Sequence, residues 1–455
     1  MHDLTTGNEA KLIWNFTIPM LIGNVFQQST TVVDSVIVGR IIGKSALAAV
    51  GASFPIMFLL ISLIIGIMMG FSILISQYFG AKDMEKVKQT IDTNFIFLFL
   101  SSLGVTVIGI LLSKSILILL KTTPETLPQA IIFLQITFGG MLFLFGYVSI
   151  SAILRGLGDS KTPLYFVMIT TVLNAVLVIL FVMVFKWGIA GSAFATVIAQ
   201  AVTFVLGITY LNRTHEVLKF RFIGLSFDMT IFKKSLSIGL PSGIQQMLVA
   251  TGMMALTRIV NGFGTDAMAA FTVAGRLDSF AMMPAMNLSA AISSFVGQNM
   301  GAGKMERVKH GLRASLVIAA VISVVISLTV IIFNRELIAC FNADAMVIMI
   351  GSRYLLIIGG FYIIFSSMFV INGALRGAGD TFVPMLFTIL SLWIIRIPLS
   401  GWLSVRIGTD GIWWGVPIAW SVGLILSFGY FISGRWKTKG IVKPPLVRNM
   451  KDGGV

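Results

Sequence analysis

Charged residues are scarce in this sequence of 455 residues: 11% are Asp, Glu, Lys or Arg, whereas 56% are hydrophobic. A soluble domain carries about 25% charged residues, so this chain cannot cover a water-exposed globule with polar side chains. Lipid removes that conflict, because apolar side chains can then face outward. The single cysteine, Cys340, excludes an internal disulfide, and the three histidines are too scattered to form a metal cluster.

What the sequence has instead is a series of long apolar runs. A helix needs about 20 apolar residues to cross about 30 Å of hydrocarbon. Runs such as Phe54–Ile75 lack the alternation of a barrel strand. We therefore predict an all-α integral membrane protein with twelve transmembrane helices: Leu12–Val38, Leu47–Phe79, Ile91–Leu112, Leu127–Leu154, Pro163–Phe185, Ile189–Leu211, Ile231–Val260, Ala267–Val296, Leu312–Phe333, Met346–Leu375, Val383–Val405 and Ile412–Ile432.

The net charge of +15 is concentrated in the loops on one side of the predicted membrane. Lys and Arg mark the cytoplasmic side, so both termini are predicted to lie in the cytoplasm and the protein in the inner cell membrane. Arg155 and Arg376 are counted among these loop charges. No basic stripe is interleaved with aromatic residues, so a nucleic-acid partner is not expected.

Two loop motifs recur at an offset of 221 residues. Residues 77–88 read QYFGAKDMEKVK and residues 298–309 read QNMGAGKMERVK, with seven of twelve positions identical. Leu154–Asp159 (LRGLGD) and Leu375–Asp380 (LRGAGD) keep the same offset. Each half holds an even number of spans, so the halves share one orientation. We predict two six-helix bundles related by a pseudo-two-fold axis along the membrane normal.

The predicted divisions are an N-terminal lobe at 1–221, a C-terminal lobe at 222–434 and a basic cytoplasmic tail at 435–455. The polar stretch from Asn212 to Thr230 joins the lobes and suits a hinge between them. The tail is predicted to be disordered and attracted to anionic lipid headgroups.

These motifs resemble the multidrug and toxic compound extrusion (MATE) transporters. The matching residues are Ile18-Pro19, Val33–Arg40, the two repeated loop motifs, and Gly239–Gly243 at the start of the seventh span. The resemblance implies two bundles in a V shape and efflux of amphiphilic, often cationic, small molecules by alternating access. It also implies antiport against H⁺ or Na⁺, with no organic cofactor, no enzymatic activity and a monomeric state.

Asp34 is the sharpest candidate for coupling, because it is the only acidic residue in the first span. A charge at membrane depth is costly and is a functional hypothesis by default. Its carboxylate could carry a proton or hold Na⁺ among oxygen ligands; the structural alternative is an Asp that only fixes helix packing. The resemblance adds Asn174 and Thr196 as partners. It also places the chain in the branch whose cation site lies in the N-terminal lobe.

A substrate cavity is predicted between the lobes, lined by Gln28, Gln245, Gln246, Met247, Asp278 and Met282. Methionine side chains are flexible and polarizable, which suits a surface that accepts many ligands. Asp278 could contact a cationic substrate or belong to a structural pair. Arg396 is interpreted as structural, with its side chain reaching toward a membrane interface.

The sequence also disfavours two other functions. A lipid-linked saccharide flippase of related fold would line its cavity with several cationic residues, and the sequence shows few Arg inside its spans. A membrane-embedded enzyme would need clustered His, Asp or Ser at membrane depth, and the acids within the spans are too few.

Overall fold

A computed structural model describes residues 3–214, 219 and 224–442. Twelve long helices, two of them bent, form the described part of the chain, and we number them α1 to α12. Their bounds are α1 Glu9–Ile37, α2 Lys44–Gly80, α3 Met84–Leu119, α4 Leu127–Gly139 with Met141–Gly156, α5 Lys161–Val184, α6 Gly188–Thr214, α7 Met229–Asn261, α8 Thr265–Gly301, α9 Met305–Ile332, α10 Ala345–Gly359 with Tyr362–Gly377, α11 Phe382–Ile407 and α12 Thr409–Ile432.

The prediction of an all-α protein with twelve membrane helices is confirmed. Eight of the described helices are long and apolar enough to cross a membrane, and ten are if each bent pair counts as one span. The bends are 52° in α4 and 51° in α10. The other two helices, α1 and α7, contain the polar run Gln27–Thr31 and the pair Lys233-Lys234, which lower their mean hydropathy.

Helices α2 and α8 form the centre of the molecule. In their most apolar stretches 61% and 67% of residues are buried, against 22% for α3 and for α9. The outer helices instead expose large apolar side chains such as Leu111 and Val321. This distribution is inverted relative to a soluble protein and fits a lipid solvent.

Small residues let the central helices approach each other closely. A Cβ atom added to Gly66 of α2 would lie 2.2 Å from the Cα atom of Gly243 in α7. Close backbone approach through small residues is the usual basis of helix packing in membranes, where apolar side chains gain little by leaving lipid.

Three stretches of π-helix interrupt the regular geometry. They are Val38–Ile42 directly after α1, Ile179–Val184 at the end of α5 and Leu390–Arg396 within α11. Such stretches are rare and often accompany functional sites. The first follows Asp34 by one turn, and the third ends at Arg396.

The repeated LRGxGD motif has a structural explanation. Gly158 and Gly379 adopt positive φ values of 81° and 100°, which a residue with a side chain rarely adopts. The following aspartates then accept hydrogen bonds from the next helix: Asp159 from the backbone N–H of Thr162 at 3.0 Å and Asp380 from that of Val383 at 3.4 Å. The motif therefore builds a turn and caps α5 and α11.

Two sequence expectations need correction. Arg155 and Arg376 are not in loops; they lie in the last turns of helices α4 and α10, and both side chains are partly buried. The first part of the tail is folded: Arg435–Lys439 forms a 3₁₀ turn, and Trp436 is 1% exposed against the end of α12. Residues 215–218 and 220–223 of the predicted hinge, and the tail from residue 443 onward, lie outside the described residues.

Candidate substrate cavity and cation site

One cavity of about 510 Å³ opens between α1 and the C-terminal helices α7, α8, α10, α11 and α12. Its volume lies within the range of about 300–1,000 Å³ that is typical of small-molecule sites. Only α1 contributes residues from the N-terminal lobe. The cavity therefore belongs mainly to the C-terminal lobe, with α1 as its remaining wall.

Amide side chains line the wall where α1 meets α7 and α8. Asn24 donates to the side-chain oxygen of Asn287 in α8 at 2.9 Å, which ties α1 to the C-terminal lobe. Gln245 donates to Thr388 of α11 at 2.6 Å. Gln27, Gln28 and Gln246 also face the cavity. Amides can donate and accept hydrogen bonds, so this wall suits polar groups of either kind.

The rest of the lining is mostly methionine and aromatic. Met253, Met282, Met283, Met286 and Met368 contribute sulfur and flexible methylenes. The aromatic lining residues are Phe365, Phe369, Phe387 and Trp420, and Phe365 lies 4.9 Å from Trp420 between ring centroids. This surface can adapt to apolar bodies of different shapes.

Asp278 lies at the cavity wall but is tightly held. The hydroxyls of Tyr354 and Tyr362, both on α10, each donate to one of its carboxylate oxygens. The ring of Trp413 packs edge-on against Tyr354 with centroids 4.8 Å apart. Asp278 is 6% exposed. Its two tyrosine partners leave it little freedom to meet a ligand directly.

Two arginines also line the cavity. Arg376 donates one guanidinium nitrogen to Ser289 at 2.7 Å, and its Nε has no hydrogen-bond partner among the described residues. The Nε of Arg396 likewise has none, although Asp278 is near enough to interact with it electrostatically. The expectation that Arg396 points toward a membrane interface is wrong, because its side chain lines the cavity.

The N-terminal lobe brings Asn174 and Thr196 together. The Asn174 amide nitrogen donates to the Thr196 hydroxyl at 3.1 Å, and that hydroxyl donates to the Ser192 carbonyl at 3.2 Å. Asn174 is 2% exposed, and its carbonyl oxygen accepts no hydrogen bond from any described residue. A buried acceptor without a partner is costly, by about 1–3 kcal/mol.

Asp34 lies at the same level as Asn174. The hydroxyl of Thr30 on α1 donates to that of Thr171 on α5 at 2.8 Å. Successive spans alternate in direction, so α1 and α5 run parallel, and Asp34 and Asn174 each follow this contact by about one turn. The Oδ1 atom of Asp34 is buried and also lacks a partner within the described residues. Two unsatisfied oxygens thus share one level of the lobe.

The predicted site residues lie at two places, the cavity and the interior of the N-terminal lobe. Gln28, Gln245, Gln246, Asp278 and Met282 line the cavity, whereas Met247 does not. Asp34, Asn174 and Thr196 lie apart from it, inside the N-terminal lobe. Sequence reasoning missed Asn24, Tyr354 and Arg376. Only Arg376 carried a signal, because it belongs to the repeated LRGxGD motif.

The end of the molecule that carries residues 3–8 and 435–442 is closed, and we call it the terminal face. Gly80 of α2 and Gly301 of α8 cross there: a Cβ atom on each would lie 1.9 Å and 1.8 Å from the carbonyl oxygens of Gln298 and Gln77. Gln77 donates to the Gly377 carbonyl at 3.1 Å, and Gln298 donates to the Gly156 carbonyl at 3.2 Å. The two contacts are equivalent under the 221-residue offset of the repeat, and each joins one lobe to the other.

The chain ends complete this closure. The Gln298 side-chain oxygen accepts from the Leu4 backbone N–H at 2.9 Å, and that of Gln77 accepts from the Ile441 N–H at 3.0 Å. Asp3 forms an ion pair with Lys82 at 2.9 Å. Burial raises the pKa of Asp3, but hydrogen bonds from Thr5 and Lys82 outweigh it and lower the pKa to about 2. Asp3 is therefore ionised at neutral pH.

Comparison with known proteins shows the family. The MatE family model matches twice, over residues 19–180 and 241–402. The probable multidrug resistance protein YpnP of Bacillus subtilis (strain 168) is 36% identical over 440 residues, covering 96% of this chain and 98% of its own. The probable multidrug resistance protein YoeA of the same organism is 34% identical, with 94% of each chain covered.

A solved structure supports the fold. It is described as the outward-facing conformation of a multidrug resistance MATE family transporter of the MOP superfamily, and it shares 23% identity with this chain. The TM-score is 0.89, with 96% of this chain and 98% of that chain covered. At this identity the likeness concerns the fold alone. The family model and the two relatives carry the assignment: this chain belongs to the MATE family of multidrug efflux transporters.

Proposed function

We propose that this membrane transporter exports amphiphilic, often cationic, small molecules in exchange for H⁺ or Na⁺ by alternating access. The single observation that carries the coupling is the Asp34 carboxylate in a membrane-spanning helix, with one oxygen that no described residue satisfies. An ionised carboxylate in that position needs a proton or a cation.

The neighbours of Asp34 fit such a cation. The unpartnered oxygen of Asn174 and the hydroxyl of Thr196 supply further oxygen atoms at the same level of the lobe. Oxygen ligands suit Na⁺, a hard cation, and a proton needs only the carboxylate. We therefore place the coupling site at Asp34, Asn174 and Thr196, within the N-terminal lobe.

The orientation follows from the loop charges. Lys and Arg are concentrated on the terminal face, which we assign to the cytoplasm of the inner cell membrane. The closed Gly80 and Gly301 crossing then seals the cavity from the cytoplasm. Export also requires a state in which this crossing is open. The two lobes reach that state by rocking against each other. We expect the transporter to work as a monomer.

The coupling site communicates with the cavity through α1. This helix carries Asp34 close to its end at Ile37 and the cavity residues Asn24, Gln27 and Gln28 nearer its middle. A change in the charge of Asp34 can therefore tilt or bend the same helix that forms one cavity wall. The lipid-linked saccharide flippase is not favoured, because the family match is to multidrug transporters.

The test is transport by purified protein in proteoliposomes. Uptake of ethidium is measured under an imposed pH gradient and, separately, an imposed Na⁺ gradient. Asp34→Asn should reduce gradient-driven uptake by about tenfold or more, within the usual range of coupling free energies. Glu336→Gln, which removes an exposed carboxylate outside the cavity, is the matched control and should leave uptake unchanged. Equal uptake by wild type and Asp34→Asn under both gradients would remove Asp34 from the mechanism.

A further inference from the structure

The charged residues of the cavity do not balance. Among its described lining residues are two guanidinium groups, from Arg376 and Arg396, and one carboxylate, from Asp278. The carboxylate already accepts from two tyrosine hydroxyls, one at each oxygen. The cavity therefore holds an excess of positive charge, although a site built only for cationic drugs would be expected to hold the opposite.

Arg376 has no acidic partner. It forms no ion pair with any residue that the structure describes, and its only hydrogen bond there is to the neutral hydroxyl of Ser289. The side chain is partly buried, and its Nε is buried and makes no hydrogen bond in the described ranges. Arginine keeps its charge even when buried, so its pairing must come from elsewhere.

Arg396 is the second cation of the lining. It makes no hydrogen bond or ion pair with the residues described, but Asp278 is near enough to interact with it electrostatically. It stands at the end of the π-helical stretch Leu390–Arg396 in α11. Arg396 is therefore partly compensated by Asp278, whereas Arg376 is not.

An unpaired guanidinium at a cavity wall is stabilised by an anionic group that binds it. The planar guanidinium matches the two oxygens of a carboxylate or a phosphate. We propose that Arg376 forms a subsite for an acidic group on the transported molecule. The preferred substrates are then amphiphiles that carry a carboxylate, including zwitterions, with the apolar body held by the Met and aromatic lining.

This inference rests on the proposed efflux function and narrows its substrate class. It is tested by equilibrium binding to purified protein in detergent, which does not depend on transport. Rhodamine 110 carries a free carboxylate, and rhodamine 123 is its methyl ester, so the two dyes differ in the acidic group alone. Wild type should bind rhodamine 110 about tenfold or more tightly, as expected for charge-assisted hydrogen bonds.

The variants separate the subsite from general stability. Arg376→Gln should reduce that preference, and Arg376→Lys should retain part of it because the charge remains. Arg155→Gln is the matched control. It removes the arginine at the equivalent position of the N-terminal repeat, which is also partly buried but does not line the cavity. It should leave the preference for rhodamine 110 unchanged.

Two results would overturn the subsite. One is equal binding of the acid and the ester by wild type. The other is a preference that Arg155→Gln reduces as much as Arg376→Gln does. Short-chain phosphatidylglycerol, compared with short-chain phosphatidylcholine, tests a lipid source for the acidic group. Binding of this lipid that depends on Arg376, without binding of rhodamine 110, would assign Arg376 to lipid and contradict the proposal. Absence of ethidium transport would instead count against the efflux function.

Discussion

At the residue scale, two acids within the membrane helices differ in whether their carboxylate oxygens have hydrogen-bond partners. Asp278 has a hydroxyl on each oxygen, whereas Asp34 keeps one oxygen without a described partner. These two acids have the same chemistry, yet they are suited to different roles. The first is held in place by its neighbours, and the second is available to a proton or a cation.

The Asp278 cluster predicts a stability effect. Tyr354→Phe and Tyr362→Phe each remove one hydroxyl and leave a buried carboxylate oxygen unsatisfied, which costs about 1–3 kcal/mol. Both variants should lower the unfolding temperature of the purified protein in detergent. Tyr165→Phe, at a tyrosine that is 59% exposed, is the control and should have little effect. Equal unfolding temperatures for all three variants would show that the hydroxyls do not stabilise Asp278.

At the element scale, the closed terminal face depends on two glycines. Replacing Gly80 by Ala would place a methyl group 1.9 Å from the Gln298 carbonyl oxygen, so the crossing of α2 and α8 must loosen. A cysteine introduced at Ser76, a fully buried position beside the crossing, reports this opening through its rate of labelling by a water-soluble maleimide. The native Cys340 is exposed and is first replaced by Ser.

The labelling rate at Ser76→Cys should rise when Gly80→Ala is added. Gly104→Ala is the matched control, because a Cβ atom at that helical glycine meets nothing within 4 Å. Alanine is the better helix former there, so Gly104→Ala should not increase labelling. If both substitutions gave the same labelling rate, the glycine crossing would not be the contact that keeps this face closed.

The helices themselves could be predicted from the sequence, because the length of an apolar run reports directly on membrane crossing. The repeat predicted the equivalence of Gln77 with Gln298, but not that both side chains reach the other lobe. Arg376 could not be placed, because a basic residue in a glycine-rich motif has the composition of a cytoplasmic loop. Its burial depends on how α10 packs against α8, which only the tertiary structure supplies.

The cavity partners were out of reach for a similar reason. Tyr354 and Tyr362 lie 76 and 84 residues from Asp278 in the chain, and no local pattern links them to it. The tail was misjudged because its basic composition conceals Trp436, which packs under the end of α12 with its ring 4.8 Å from that of Phe431. Composition predicted whether a segment meets lipid or water, but it did not predict which residues that segment packs against.

At the scale of the whole molecule, the two halves have the same fold but carry different sites. The terminal face is built symmetrically, with each glutamine joining the opposite lobe and accepting from one end of the chain. The sites are not symmetric, because the unpaired acid lies in the N-terminal lobe and the cavity lies mainly in the C-terminal lobe. Helix α1 is the physical connection between them.

The central claim is that the charge state of Asp34 controls whether the terminal face is closed. Spin labels at Glu85 and Glu306, exposed and equivalent positions of the two repeats, measure the distance across that face in a Cys340→Ser background. Changing pH or Na⁺ should shift the distance distribution of otherwise wild-type protein, and Asp34→Asn should hold it in one state. The same ion-dependent shift in Asp34→Asn, or no shift in either protein, would contradict the account.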